Sequence, residues 1–218
     1  IEPEPFGWEG EFYQYRAVSI WPRPMQKPHP KILMSGSNEF SARNAAKKGA
    51  MFGVANLTSL ENSKKLIDAY LDEARCAGWE PGPEDLLISL TTSIDEDVDL
   101  AKERLKEGRR YFAEVLGGGI RTAQRLVLQK SRYMDDETKK NFVGANKQAK
   151  ISVDDLIESG TVVCGTPKQA IEQIKNCHKI LGHGLTNISM KVGNIEDIVI
   201  NKQIEIFGNK VLPYVKHL

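Results

Sequence analysis

At 218 residues, 40% hydrophobic and 27% charged, the chain has the length and composition of a protein with one substantial globular core. A formal net charge of +1, with no apolar run of spanning length and no basic aromatic stripe, speaks against nucleic acid and membrane as partners. Cys76, Cys164 and Cys177 are odd in number and far apart, and with His29, His178, His183 and His217 they make no ligand pattern; no metal is expected, and a reducing, cytoplasmic setting is the simpler reading.

The opening residues, Ile1 to Pro5, do not resemble a natural translation start. Residues 1–30 form a proline-rich entry segment. In it, 10–15 (GEFYQY) and 17–21 (AVSIW) are predicted to pair as short strands before Pro22, Pro24, Pro28 and Pro30 forbid regular structure. From 31 to 218 the rhythm is strand, helix, strand, helix. Residues 32–35 suit a strand buried on both faces, and a helix from about 38 to 48 follows, stopped by Gly49, with Phe40, Ala42, Ala45 and Ala46 as its inner face. Residues 50–57 are the next strand, and Leu66, Ile67, Tyr70, Leu71 and Ala74 mark an amphipathic helix ending near Gly78.

Residues 86–92 (LLISLTT) predict a third strand, and Val98, Ala101, Leu105, Phe112 and Val115 the stripe of a long helix that Gly117 to Gly119 close as a stop with a hinge. The polar stretch 120–150 is expected to be a mobile insertion. After the short apolar run 162–164, Thr166-Pro167-Lys168-Gln169 is a helix start with N-cap, first-position proline and capping-box glutamine; Ala170, Ile171, Ile174, Cys177 and Leu181 form its stripe. Residues 185–192 predict the last strand, and the final helix begins after Asn194 with Glu196 and Asp197 in its first turn.

This alternation predicts an α/β fold with a parallel sheet, in four βα units beginning near Ile32, Ala50, Leu86 and Leu185. A closed (β/α)8 TIM barrel needs eight such units in about 250 residues, so the count leaves half a barrel or a small open sheet.

The turn after residue 34 is the best chemical candidate. Ser35, Ser37, Asn38 and Ser41 bring side-chain donors to a helix N-terminus, and Gly36 lets the backbone come close, which suits a phosphate. Taken alone, Ser37 or Asn38 is a helix cap first and a ligand group second. The Thr166 helix start is already satisfied by its capping box, and Gly117 to Gly119 lack the lysine ending of a phosphate loop. Asp95 to Asp99 suit a helix N-terminus better than a metal, His178 suits a half-buried packing role, and His29 has no visible partner. No nucleophile stands at readable spacing from a base, so catalytic residues stay unknown.

The stretch GEFYQYRAVSIWPRPMQKPHPKILMSGSNEFSARNAAKKG resembles the middle of bacterial-luciferase-like flavin-dependent monooxygenases. CGTPKQAIEQIKNCHKILGHGLTNISMKV and the closing VLPYVKHL are similar to the late helix, last barrel strand and terminal segment of that family. The resemblance covers most of 9–60 and 160–218, with Lys31 in place of a usual proline. It implies a TIM barrel that binds reduced FMN, or in some members a deazaflavin, and oxygenates a small organic substrate with dioxygen. It also implies that Gly36, Ser37, Asn38 and Ser41 meet the flavin phosphate, that Asn56 lies near the ring system, and that Lys139 and Lys140 belong to a mobile lid.

In that family the proline-rich motif falls near mid-chain, whereas here almost nothing precedes it. The expectation is therefore the C-terminal half of such an enzyme, a half barrel that pairs with a missing N-terminal half or with a copy of itself. A non-catalytic half that binds flavin or phosphate, or serves as an assembly partner, is one alternative; a deazaflavin-dependent hydride-transfer enzyme is the other.

Overall fold

Capped helices alternating with short apolar strands set the architecture, which is a computed structural model describing residues 4–54, 57–130 and 151–218. The chain divides into two units, Ile1–Ile32 and Leu33–Leu218. In the first, β1 (Phe6–Glu9) and β2 (Gln14–Val18) pair antiparallel. Both strands start earlier than the apolar alternation predicts. A tight turn, in which the Gly10 amide donates to the Tyr13 carbonyl at 2.9 Å, takes residues that the pattern assigns to a strand.

The second unit holds five parallel strands: β3 (Leu33–Gly36), β4 (Met51–Val54), β5 (Leu86–Ile94), β6 (Val162–Gly165) and β7 (Leu185–Ser189). Leu87 and Ile88 pair with both β4 and β7, so those strands occupy opposite edges of β5. Thr91 pairs with Val162 and Ser189, which puts β6 on the β4 edge, further along β5. The main order β3-β4-β5-β7 thus follows the chain without reversal. That is the winding of a (β/α)8 barrel and not of a doubly wound sheet. Among the described residues β3 and β7 each have one strand neighbour, so the sheet is half of such a barrel.

Helices α1 (Glu39–Lys47), α2 (Leu60–Cys76), α3 (Val98–Tyr111), α4 (Gly117–Lys130), α5 (Val153–Glu158), α6 (Pro167–Leu181), α7 (Asp197–Lys210) and α8 (Leu212–Val215) complete the unit. Their starts are local chemistry: Asn38, Ser59, Asp97, Ser152 and Thr166 each accept a first-turn amide hydrogen, and Gln169 closes the Thr166 capping box.

The main core lies between the sheet and these helices. Phe52, Val54, Leu86, Ile88 and Leu90 meet Ala42, Ala45 and Ala46 of α1, Ile67, Tyr70 and Ala74 of α2, and Ala170, Ile174 and Cys177 of α6. The alanines let α1 lie close to the sheet. Phe40, expected among them, is 79% exposed, because two helical residues before Ala42 is roughly the opposite face. A buried and a half-buried donor tie this layer down: the Tyr70 hydroxyl to the Ala50 carbonyl at 2.9 Å, and the Trp79 indole to the Ala46 carbonyl at 2.8 Å.

The long helix after β5 departs from its predicted stripe. Ala101, Leu105 and Gly108 are buried, but Phe112 and Val115 are 53% and 56% exposed. Phe112 opens a π-helical turn, Phe112–Leu116, whose extra residue carries Val115 off the stripe. Gly117 to Gly119 then open α4 instead of closing α3. The expected 120–150 insertion is described only as far as Lys130, the end of α4. No helix among the described residues is long and apolar enough to cross a membrane.

Candidate functional site

Alternation along the strands gives the sheet two unlike faces. Leu86, Ile88 and Leu90 of β5 point to the helices, while Leu87, Ser89 and Thr91 point the other way and stay partly open. On this inner face the ladder register stacks side chains in rows. Ser35, Gly53, Leu87 and Leu185 share one row; Ser89 and Asn187 share the next; Thr91 and Ser189 share the one above. Polarity therefore rises toward the C-terminal ends of the strands, where (β/α)8 barrels carry their chemistry.

A cleft of about 240 Å³ opens there; Ser89, Thr91, Asn187 and Ser189 with Thr58 and Arg109 are its polar lining, and Leu57, Ile151, Leu156 and Val162 its apolar lining. The Asn187 side-chain amide donates to the Ser89 hydroxyl oxygen at 3.2 Å, which leaves the Ser89 hydroxyl hydrogen available. Arg109 is half-buried, and desolvation holds its guanidinium below the ordinary arginine range. Its helix is fixed by a close backbone crossing: a Cβ on Gly108 would strike the Val192 carbonyl oxygen, and one on Gly193, at φ 65°, would strike Gly108. To make this crossing the chain leaves the ladder at Ser189, short of the 185–192 strand its sequence predicts.

Behind α3, Asp95 is buried and bonded by Arg104 and, at 3.3 Å, by Lys202 of α7. Burial works to raise its carboxyl pKa, but Arg104, the Asp97 amide and Lys202 outweigh that and hold it below the ordinary carboxylate range. Asp95 thus ties α3 to α7, and Asp97 caps α3; among the described residues no cluster of His, Cys, Asp and Glu is placed to hold a metal. The buried thiols Cys164 and Cys177 are both pushed up to about 11 by burial, which leaves them protonated and unreactive near neutral pH.

The turn after β3 forms the second part of the site. Gly36 ends the strand and is buried, and a Cβ there would collide with the Ser41 side chain. Asn38 is the N-cap of α1, and its Oδ1 accepts from both the Ser41 amide and the Ser41 hydroxyl at 2.9 Å. Ser37 and Asn38 are exposed and Ser41 is half-buried. The amides of Glu39 and Phe40, outside the helical ladder, complete a set of donors at the positive end of α1. The Glu39 carboxylate pairs with Arg43 at 3.6 Å, one turn further along the helix. So Gly36, Asn38 and Ser41 are brought together, while Asn56, Lys139 and Lys140 lie outside the described residues.

The polar inner wall is not among the residues singled out from sequence. Its signal is faint: serine and threonine at every second position of LLISLTT, and asparagine then serine in LTNIS.

Residues 2–184 match the family described as luciferase-like monooxygenase. The FMNH(2)-dependent dimethylsulfone monooxygenase of Pseudomonas putida is 23% identical over 222 residues, a match to 98% of this chain and 54% of that protein. Among solved structures, monooxygenase RslO1 from Streptomyces bottropensis superposes with a TM-score of 0.67 at 23% identity, over 97% of this chain and 56% of that one. An F420-dependent secondary alcohol dehydrogenase, in complex with an F420-acetone adduct, gives a TM-score of 0.65 at 18% identity, over 98% and 57%. The chain spans about half the length of the curated relatives it matches.

Proposed function

The chain belongs to the luciferase-like monooxygenase family, and on that premise we propose that it supplies one half of a flavin-dependent oxidoreductase site, using reduced FMN and dioxygen to oxygenate a small organic molecule. A further set of βα units, on the same or another polypeptide, supplies the other half. The observation that carries this reading is the agreement of winding and polarity. A half-barrel order places both the donor-rich turn after β3 and the polar inner wall at the C-terminal ends of the strands.

The turn suits the phosphate of such a cofactor: Gly36 lets Ser41 pack against the end of β3, Ser37 is exposed, and the first amides of α1 converge with its dipole. Bound flavin would supply the electron transfer and dioxygen activation. This chain's residues would hold the phosphate, wall the substrate side and keep water out. The likeness to an F420-dependent dehydrogenase supports a second reading, hydride transfer with a deazaflavin on the same frame.

Anaerobic titration of the chain with reduced FMN and with F420, alone and with the N-terminal half of a relative, tests both. The expected result is phosphate-competed binding that tightens when the complementary half is added. Absence of binding to either cofactor, even with that half present, overturns the reading and leaves an assembly role.

A further inference from the structure

We propose that a second cavity, on the helix side of β7 and independent of the flavin reading, binds a small neutral phenol or alcohol. It has a volume of about 220 Å³, and residues of α6, α7, α8 and the start of β7 line it. Thr186 and Ile188 pair in register with Ile88 and Leu90, which puts them on the helix face of the sheet, opposite Asn187 and Ser189. The walls are largely apolar: Ile174, Ile188, Phe207, Leu212 and Val215. An apolar cavity of about 150 Å³ takes up benzene, so one ring with a polar substituent fits this volume.

The polar lining is short of donors. His178 Nδ1 donates to the His183 carbonyl at 2.8 Å, so the neutral ring keeps its lone pair on Nε2, which has no partner among the described residues. His183 is only 1% exposed; its Nε2 lies 3.0 Å from the Thr186 hydroxyl, and its Nδ1 has no partner among the described residues. Burial, and then His178, lower its pKa to about 4, so this ring too is neutral and one of its nitrogens is an acceptor. The two imidazoles meet edge to face, 5.6 Å apart. Lone pairs set among apolar side chains favour a ligand that donates one hydrogen and is otherwise apolar. They disfavour a carboxylate, and the Lys216 ammonium on the lining disfavours a cationic donor, which leaves a neutral hydroxyl. The loop is fixed before a ligand arrives: Gly182, at φ 67°, ends α6, and the Gly184 amide donates to the Pro83 carbonyl at 2.6 Å.

The test is NMR titration of the 218-residue chain with phenol and its hydroxyl-free counterpart toluene, at about pH 8, above the ordinary histidine range. Phenol is expected to saturate shifts at Thr186, Ile188 and Leu212 and to move an imidazole nitrogen resonance of His178 or His183. It should bind about tenfold more tightly than toluene. His178→Phe combined with His183→Leu removes the acceptors and should bring phenol down to the affinity of toluene, with dispersed spectra showing that the variant is folded. Equal affinity of the unmodified chain for the two rings, or phenol binding that leaves both imidazoles unmoved, overturns the proposal. So does tighter binding of benzoate than of phenol, which would make Lys216 the centre of an anion site. Displacement of phenol by the N-terminal half of a relative also overturns it and assigns the cavity to barrel assembly.

Discussion

On β5, Leu86, Ile88 and Leu90 are sealed beneath helices, whereas Leu87, Ser89 and Thr91 on the alternate face are partly open. The same division runs across the sheet. Phe52 and Val54 are buried on the helix side, while Leu33 and Leu185, at the inner base, are 43% and 36% exposed. The outer layer is finished by residues of this chain, so it carries the stability. Among the described residues of this unit the inner layer has a partly open apolar base and a polar top, the pattern of a barrel interior that a further set of strands would complete. Stability and chemistry are therefore separated by a single residue step along each strand.

The sharpest way to break this comparison is to truncate both faces of one strand. Ile88→Ala empties a site enclosed on every side and should cost about 2–5 kcal/mol in urea unfolding. Leu87→Ala removes contacts that are already half solvated and should cost under about 1 kcal/mol. Adding a complementary half barrel should raise the Leu87→Ala cost and leave that of Ile88→Ala unchanged. Equal costs in the isolated chain would mean that the inner face is packed after all.

Acid should attack the outer layer first. His183 lies there, buried beside His178, with Nε2 3.0 Å from the Thr186 hydroxyl and no partner for Nδ1 among the described residues. Desolvation, and then the neighbouring His178, lower its pKa from 6.5 to about 4. The unfolded chain thus binds a proton that the folded chain refuses. The stabilisation is fully present above pH 6.5 and is lost as pH falls toward 4, on the order of 3 kcal/mol. His183→Asn should flatten the pH dependence of unfolding in that window, and an unchanged slope would exclude His183 as its source.

A smaller effect, about 1–3 kcal/mol, is expected for Gly36→Ala, since its methyl would meet Ser41 at the start of α1. The loss should appear in thermal unfolding, and Ser41→Gly in the same chain should restore part of it.

How much of this was legible in the sequence follows from the range of each interaction. Caps are local, so Thr166 with Gln169, and Gly49 as the stop of α1, are readable from a few residues. The strand–helix rhythm is readable too, because apolar periodicity is a short-range signal. The choice between half barrel and open sheet is not, since it depends on Leu87 and Ile88 having β4 on one edge and β7 on the other, nearly 100 residues away. Arg109 was invisible for the same reason. The Gly108 crossing over Val192 brings α3 to the end of β7, and two glycines so far apart give no pattern. Val115 leaves the stripe because one π-helical turn resets it without any residue that announces it.

The smallest expected effect separates the cap from the cradle in the turn after β3. Asn38 Oδ1 accepts from both the amide and the hydroxyl of Ser41, so the side chain already consumes two donors that a phosphate would use. Asn38→Ala should cost about 1 kcal/mol as a lost cap, while freeing those donors to an anion. Asn38→Asp keeps the cap and adds a negative charge at the positive end of α1, so thermal stability should hold or rise slightly. That same charge would repel a phosphate, and FMN affinity should fall by about tenfold. If Asn38→Asp is as stable as the unmodified chain and binds FMN equally well, the turn is a helix cap alone. If stability holds and FMN binding collapses, one asparagine serves both as the cap of α1 and as the neutral edge of a phosphate site.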